Sequence, residues 1–105
     1  MTTQNSLDRA ILIADRKFIL EIAEQARFSR KQADRATRAF VAMDPATGVD
    51  AAQKAAAAGS ALTRLLELAD AAGISKRHSS AVHSAAAADE DGVWDYFDRK
   101  AAELG

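Results

Sequence analysis

The feature that most constrains this chain is a first helix that is apolar on more than one side. At 3.6 residues per turn, residues 7–28 place one apolar stripe along a single face of a helix. Leu12 and Ile19 widen that stripe on one flank, whereas Ile13 and Leu20 lie almost opposite it. A surface helix of a small monomer needs only one apolar face. We therefore predict that these four residues contribute to an interface between copies of the chain.

Alanine decides the fold class. It accounts for 26 of the 105 residues, and the chain has a single proline. Alanine has the highest helix propensity, so we predict an all-α fold. A buried alanine removes little apolar surface from water, and each Å² contributes only about 25 cal/mol. Oligomerisation would make up the stability that an alanine-rich core lacks.

The helix signals divide one domain, residues 1–105, into a long hairpin and a short C-terminal unit. The first arm runs from about residue 7 to 43, either unbroken or interrupted by a helix cap at Ser29. Proline and glycine in the segment Asp44-Pro45-Ala46-Thr47-Gly48 predict a turn. Asp50 is then expected to cap the second arm, which ends before Gly73, a left-handed C′ residue. The expected bounds are 7–72 for the hairpin, which is also the oligomerisation core, and 75–105 for the C-terminal unit, with helices 75–88 and 93–104.

Several function classes find no support in the residues. The chain has no cysteine, and His78 and His83 are five residues apart, which is not the spacing of a metal-binding pair on one helix. No serine, histidine and carboxylate set can be singled out, so we predict a protein that is not an enzyme and needs no metal or cofactor. The N-terminus lacks a signal-peptide pattern and no apolar run could span a membrane, which favours a cytoplasmic location.

Basic residues form a stripe on the first arm. Arg27, Lys31, Arg35 and Arg38 are spaced by 4, 4 and 3 residues and so share a helix face, with Arg30 nearby. The chain up to residue 43 carries a net charge of +3, and residues 89–105 carry −4. Such a stripe could neutralise phosphates of a nucleic acid without reading its sequence. A solvent-exposed helix face and a contact with an acidic partner are the alternatives.

A second candidate nucleic-acid site lies at residues 68–82, which resemble the helix-turn-helix of DNA-binding regulators. The matching features are Ala69, the Gly73-Ile74-Ser75 turn and the apolar Val82. The resemblance implies that the recognition helix begins with residues that meet DNA, namely Lys76, Arg77, His78 and Ser79. The same residues are also typical of an ordinary helix that ends at a glycine and is followed by a helix with a serine N-cap.

The C-terminal segment concentrates aromatic and acidic side chains. Trp94, Tyr96 and Phe97 include the only tryptophan and the only tyrosine, and Asp95 and Asp98 lie among them. This helix could pack its aromatic residues onto the hairpin. We predict instead that its aromatic residues dock into a groove of a larger partner, with the carboxylates steering the helix toward a basic surface.

Taken together, the hairpin arms 7–43 and 50–72, the stripe 27–38 and the tail 89–104 resemble the small terminase subunits of tailed phages and gene transfer agents. The resemblance implies an oligomeric, non-enzymatic DNA-packaging adaptor. Such a protein would bind DNA weakly and recruit a larger motor protein through its C-terminus. A small DNA-binding regulator and an assembly factor that never contacts nucleic acid are the alternatives.

Overall fold

The computed structural model describes residues 3–105, and in this range the chain forms five α-helices and no β-strand. The predicted all-α class is therefore confirmed. The molecule is elongated, with extents of 62 × 24 × 16 Å. None of the described helices combines the length and the hydropathy of a membrane-spanning segment. The helices are α1 (Thr3–Val41), α2 (Pro45–Ala71), α3 (Ile74–Arg77), α4 (Ser79–Ala86) and α5 (Glu90–Glu103).

The first helix is continuous through Ser29, which is one of the two interpretations that the sequence allowed. Ser29 does not cap a new helix; its hydroxyl donates to the carbonyl oxygen of Ala55 in α2 at 3.2 Å. The helix ends where Met43 takes a left-handed backbone conformation with φ 61°. A serine within a helix is tolerated when its hydroxyl finds such an acceptor.

The second helix begins earlier than predicted. Its N-cap is Asp44, whose carboxylate accepts a hydrogen bond from the Thr47 backbone N–H at 3.3 Å, and not Asp50. Hydrogen bonding with Thr47, in which the side chain has the larger influence and the backbone N–H the smaller, lowers the pKa of the Asp44 carboxyl. Pro45 takes the first helical position, where its missing N–H has no intrahelical partner to lose. The proline therefore starts the helix and does not delay it.

The second helix runs back along the first. Contacts between the two helices join Phe40 to Gly48, Arg35 to Asp50 and Ser29 to Ala55, in the order expected for antiparallel neighbours. A Cβ atom on Gly48 would lie 2.8 Å from the Phe40 ring, so a larger residue at this position would displace the ring. At this point a glycine of α2 lets the Phe40 ring of α1 pack closely on it.

The molecule has two parts, a head (residues 3–26 and 59–105) and an arm (residues 27–58). In the head, α3, α4 and α5 fold onto the hairpin and enclose a core of large side chains, of which Phe97, Ile19, Ile22 and Val93 are the largest that are fully buried. Leu62, Leu65 and Leu66 of α2 pack against this core. The head therefore contains a conventional hydrophobic core.

The arm is packed differently. Each buried residue described in it is an alanine or a glycine: Ala36, Ala39, Gly48, Ala51 and Ala58. Its larger apolar side chains are exposed instead: Phe28, Phe40, Val41, Met43 and Val49. The arm is therefore a pair of helices joined through an alanine seam, and its larger apolar side chains are at least 43% exposed, although the Phe40 ring also packs on Gly48.

The structure corrects part of the predicted oligomer interface. Ile19 is fully buried inside its own chain, so it is not available to a second copy. Leu12 and Leu20 are partly buried against the same head core. Ile13 remains 51% exposed. The opposite side of the first helix is thus covered near Leu20 by the chain's own C-terminal unit, which the helix periodicity alone could not reveal.

The predicted single helix over 75–88 is two helices. Gly73 has the predicted left-handed conformation, with φ 78°, but Ser75 lies inside α3 and does not cap it. The backbone of His78, with φ −133° and ψ 49°, then separates α3 from α4. The last helix also starts earlier than predicted, because Asp89 caps it by accepting a hydrogen bond from the Gly92 N–H at 3.0 Å.

Replacing Ala88 by glycine is expected to stabilise the protein. Ala88 ends α4 with φ 62°, and its neighbour Asp89 donates its backbone N–H to Ser84 at 2.8 Å. A left-handed conformation strains any residue with a Cβ atom, so Ala88→Gly should raise the free energy of unfolding by about 1 kcal/mol in urea titrations. The matched control is Ala87→Gly, at φ −87°, which should give no gain. Equal effects of the two changes would contradict this explanation.

Candidate functional site

A buried carboxylate lies in the first half of α1. Asp15 is 5% exposed, and its Oδ2 atom lies 2.8 Å from His78 Nε2. The Arg77 guanidinium donates to both oxygens, from Nη2 to Oδ1 at 3.0 Å and from Nε to Oδ2 at 3.2 Å. A planar guanidinium matches a carboxylate in this two-point geometry. This hydrogen bonding to Asp15 raises the pKa of Arg77, which therefore stays charged.

The second ring nitrogen of His78 extends the network to α5. His78 Nδ1 lies 2.7 Å from the Tyr96 hydroxyl, which also lies 3.5 Å from the Arg77 carbonyl oxygen. If Nε2 carries the proton toward Asp15, then Nδ1 accepts from the tyrosine, and each polar group has a partner. The His78 ring also packs against Phe97, with centroids 5.1 Å apart. The network joins α1, the α3–α4 junction and α5.

The local chain geometry explains how His78 reaches the interior. Gly73 ends α2, α3 lasts for four residues, and the backbone leaves the helical conformation at His78. The imidazole is consequently 8% exposed, although its neighbours Arg77 and Ser79 are exposed. The break between α3 and α4 therefore allows the His78 side chain to pack in the interior.

A small apolar pocket adjoins this network. Its volume is about 180 Å³, and it lies between the first turns of α1 and the end of α5. Its walls are formed by Asp8, Ile11, Leu12, Asp15, Arg77, His78, Lys100, Glu103 and Leu104. Both His78 nitrogens and both Asp15 oxygens are already engaged within the protein, so in this geometry they cross-link helices and do not point reactive atoms into the pocket. Within residues 3–105, no group of three or more potential ligands could hold a metal ion.

The structure overturns the helix-turn-helix interpretation of residues 68–82. The helix that would read DNA ends after four residues, at Arg77. Arg77 is bound to Asp15, and His78 is buried, so neither is presented to a groove of DNA. Lys76 and Ser79 are exposed, but two residues on either side of a helix break do not form a reading surface.

The basic stripe of the arm is exposed except at Arg35. Arg35 forms an ion pair with Asp50 at 3.2 Å, and Lys54 shares the same carboxylate at 3.1 Å. Hydrogen bonds from these two cations, with that from Lys54 the stronger influence, lower the pKa of Asp50. The remaining stripe residues, for which no ion pair is found in the described part of the chain, are Arg27, Arg30, Lys31 and Arg38.

A surface groove of about 470 Å³ adjoins this stripe. It is lined by Glu24, Gln25, Arg27, Phe28 and Lys31. The Phe28 side chain is 43% exposed there. The outer face of the arm therefore combines positive charge with apolar surface.

The C-terminal segment is mainly part of the head. Phe97 is 1% exposed and Tyr96 belongs to the Asp15 network, so the prediction that these two rings dock a partner is wrong. Trp94 is 39% exposed, and the Arg16 guanidinium lies 4.8 Å from the centre of its ring. Asp95 and Asp98 are exposed. Only this outer face of α5 remains accessible to a partner.

Comparison with known proteins found no matching family model, no matching curated protein and no matching solved structure. The functional interpretation therefore depends on the geometry of the chain itself.

Sequence reasoning missed the Asp15–His78–Tyr96 network, although one signal was present. Asp15 lies four residues after Ile11 and four before Ile19, on the apolar side of the helix. A carboxylate in that position needs a buried partner, because burial without one is costly. The partner of Asp15 is His78. Its position depends on the break between α3 and α4, which the sequence pattern did not indicate.

Proposed function

We propose that this chain is a non-enzymatic helical adaptor that binds an acidic partner surface through the outer face of its arm. The proposal is based on the packing of the arm, which buries small side chains and exposes larger apolar ones. Alanine and glycine fill the seam between its helices, whereas Phe28 and the cations Arg27, Lys31 and Arg38 lie outside. Apolar side chains beside unpaired cations are what a docking surface for an acidic protein requires.

The energetics of the arm support a role in association. An alanine seam buries little apolar area, and two helices without further packing are marginal in water. The described head helices α3–α5 contribute their buried side chains to the head core and not to the seam of the arm. A partner that covers the arm would therefore stabilise it while being bound.

Binding of nucleic acid is a second candidate for the same surface. The exposed cations Arg27, Lys31 and Arg38 lie on one face, and the eleven residue steps from the first to the last cover about 16 Å of helix. Such a row could contact several phosphates of one strand. In this case the DNA-packaging role implied by the small terminase resemblance would be retained, with DNA contact confined to the arm.

The proposal is tested by replacing the stripe and measuring retention on two polyanions, immobilised polyglutamate and duplex DNA. The stripe variant Arg27→Gln/Lys31→Gln/Arg38→Gln should elute from polyglutamate at clearly lower salt than the wild type, since charge contacts dominate such binding. The matched control Arg9→Gln/Arg64→Gln/Arg99→Gln removes three exposed cations elsewhere and should elute like the wild type.

Equal elution of the two triple variants would show that net charge, and not the stripe, governs binding, and would overturn the proposal. Stronger retention of the wild type on DNA than on polyglutamate, lost in the stripe variant alone, would favour the nucleic-acid candidate.

A further inference from the structure

The outer face of α5 carries an acidic row. Asp91, Asp95 and Asp98 are spaced by 4 and 3 residues and are all exposed, on the side of the helix away from the buried Val93 and Phe97. In residues 3–105 none of the three forms an ion pair. The row therefore has no internal partner to neutralise it.

An aromatic side chain borders this acidic row. Trp94 is 39% exposed at the edge of a surface depression of about 310 Å³ that also involves Leu20, Glu24 and Glu90. Arg16 holds the indole from one side, at 4.8 Å. A large ring that is anchored but half exposed can add apolar contact area at low entropic cost.

The acidic row and the basic stripe are opposite in charge, and the row is short enough to lie along the stripe. The acidic row extends over seven residue steps, about 10 Å, and the stripe from Arg27 to Arg38 extends over about 16 Å. Each has an exposed ring at its border, Trp94 for the row and Phe28 for the stripe. Charge alone would bind weakly, because exposed ion pairs contribute little, so the rings have to contribute.

The two surfaces are not in contact within one chain, although Glu24 borders both the depression beside Trp94 and the groove beside the stripe. The end of α5 lies against the start of α1, where Asn5 donates to the Leu104 carbonyl oxygen at 3.2 Å, and Trp94 lies beside Arg16. The stripe begins farther along the same continuous helix, at Arg27. The acidic row therefore faces solvent next to the head while the stripe faces solvent on the arm.

We infer that the acidic partner of the arm is a second copy of this chain, whose α5 face (Trp94, Asp95, Asp98) docks on the groove formed by Arg27, Phe28 and Lys31. This inference rests on the proposed function, because it names the partner of the same arm surface. The two faces in contact are different, so the interface is heterologous. Each copy offers one face of each kind, and further copies can add in the same way.

Charge reversal in two double variants tests this inference. Asp95→Lys/Asp98→Lys reverses the acidic face and spares Asp91, which lies in the first turn of α5. Lys31→Glu/Arg38→Glu reverses the stripe. Light scattering at low salt and submillimolar concentration should give at least twice the 11.2 kDa chain mass for the wild type and 11.2 kDa for each variant. Circular dichroism should show that both variants remain helical.

An equimolar mixture of the two variants should regain the wild-type mass. In the mixture, the lysine-substituted α5 face of one variant can bind the glutamate-substituted stripe of the other, and the unchanged α5 face can bind the unchanged stripe. The matched control Glu67→Lys/Asp70→Lys reverses two exposed charges elsewhere and should associate like the wild type. The emission of Trp94, the only tryptophan, should shift when the wild type is diluted into high salt and should stay constant in the acidic-face variant.

A wild-type mass of 11.2 kDa under these conditions would overturn the inference. So would loss of association in the stripe variant alone, which would indicate that the arm binds another surface. Either result leaves the polyglutamate experiment to decide the proposed function separately.

Discussion

Phe97→Ala is expected to lower the free energy of unfolding by about 3–5 kcal/mol, the range for removing a buried phenylalanine ring. Phe97 is 1% exposed, and its ring contacts those of His78 and Tyr96, with centroids 5.1 and 5.0 Å away. A domain of this size is stabilised by only about 5–15 kcal/mol. The variant should therefore unfold at much lower urea concentration in measurements of helical circular dichroism.

The matched control is Trp94→Ala on the same helix. Trp94 is 39% exposed, so its truncation removes less buried area and should cost much less stability. A loss for Phe97→Ala no larger than that for Trp94→Ala would contradict the assignment of Phe97 to the core. This comparison separates the inner face of α5, which holds the head together, from its outer face.

Asp15→Ala is expected to cost about 3 kcal/mol, because it leaves His78 buried without its partner and the Arg77 guanidinium without its carboxylate. The loss should be measured by urea titration at constant pH. His78→Ala should cost clearly less in an Asp15→Ala background than in the wild type, since the two residues act through one network. Part of its cost should remain, because the His78 ring also packs against Phe97.

Arg77→Gln serves as the control for Asp15. The Arg77 side chain is 46% exposed and can be hydrated, so its replacement should cost clearly less than that of Asp15. Additive losses for Asp15→Ala and His78→Ala would show that the network is not a single energetic unit.

Much of the helical fold was predictable because local chemistry determines it. High alanine content and helix periodicity predicted the all-α class, and Gly73 was correctly identified as a left-handed residue. The start of α2 was predicted six residues late, because the turn residues around Pro45 also satisfy the first turn of a helix. The break at His78 has no local cause that we identify in the sequence; tertiary contacts with Asp15 and Tyr96 hold it.

The candidate site was predicted less well, for a related reason. Helix periodicity identifies which side chains share a face but not which element covers that face. Ile19 and Phe97 were therefore assigned to interfaces with other molecules, although each is buried in its own chain. The stripe at Arg27, Lys31 and Arg38 was located correctly on an exposed face, since no other element is needed to place it there.

The single helix α1 contributes residues 3–26 to the head and residues 27–41 to the arm. We therefore expect its backbone amides to be protected to very different degrees from exchange with solvent hydrogen. Near Ile19, an amide opens only when the large side chains of the head core separate. Near Arg38, opening requires no more than parting an alanine seam, and it can start at the Met43 turn and move inward. A partner that docks on the arm would hinder this opening. The arm amides would then exchange more slowly in the complex than in the free protein, while the exchange rates of the head amides would stay unchanged.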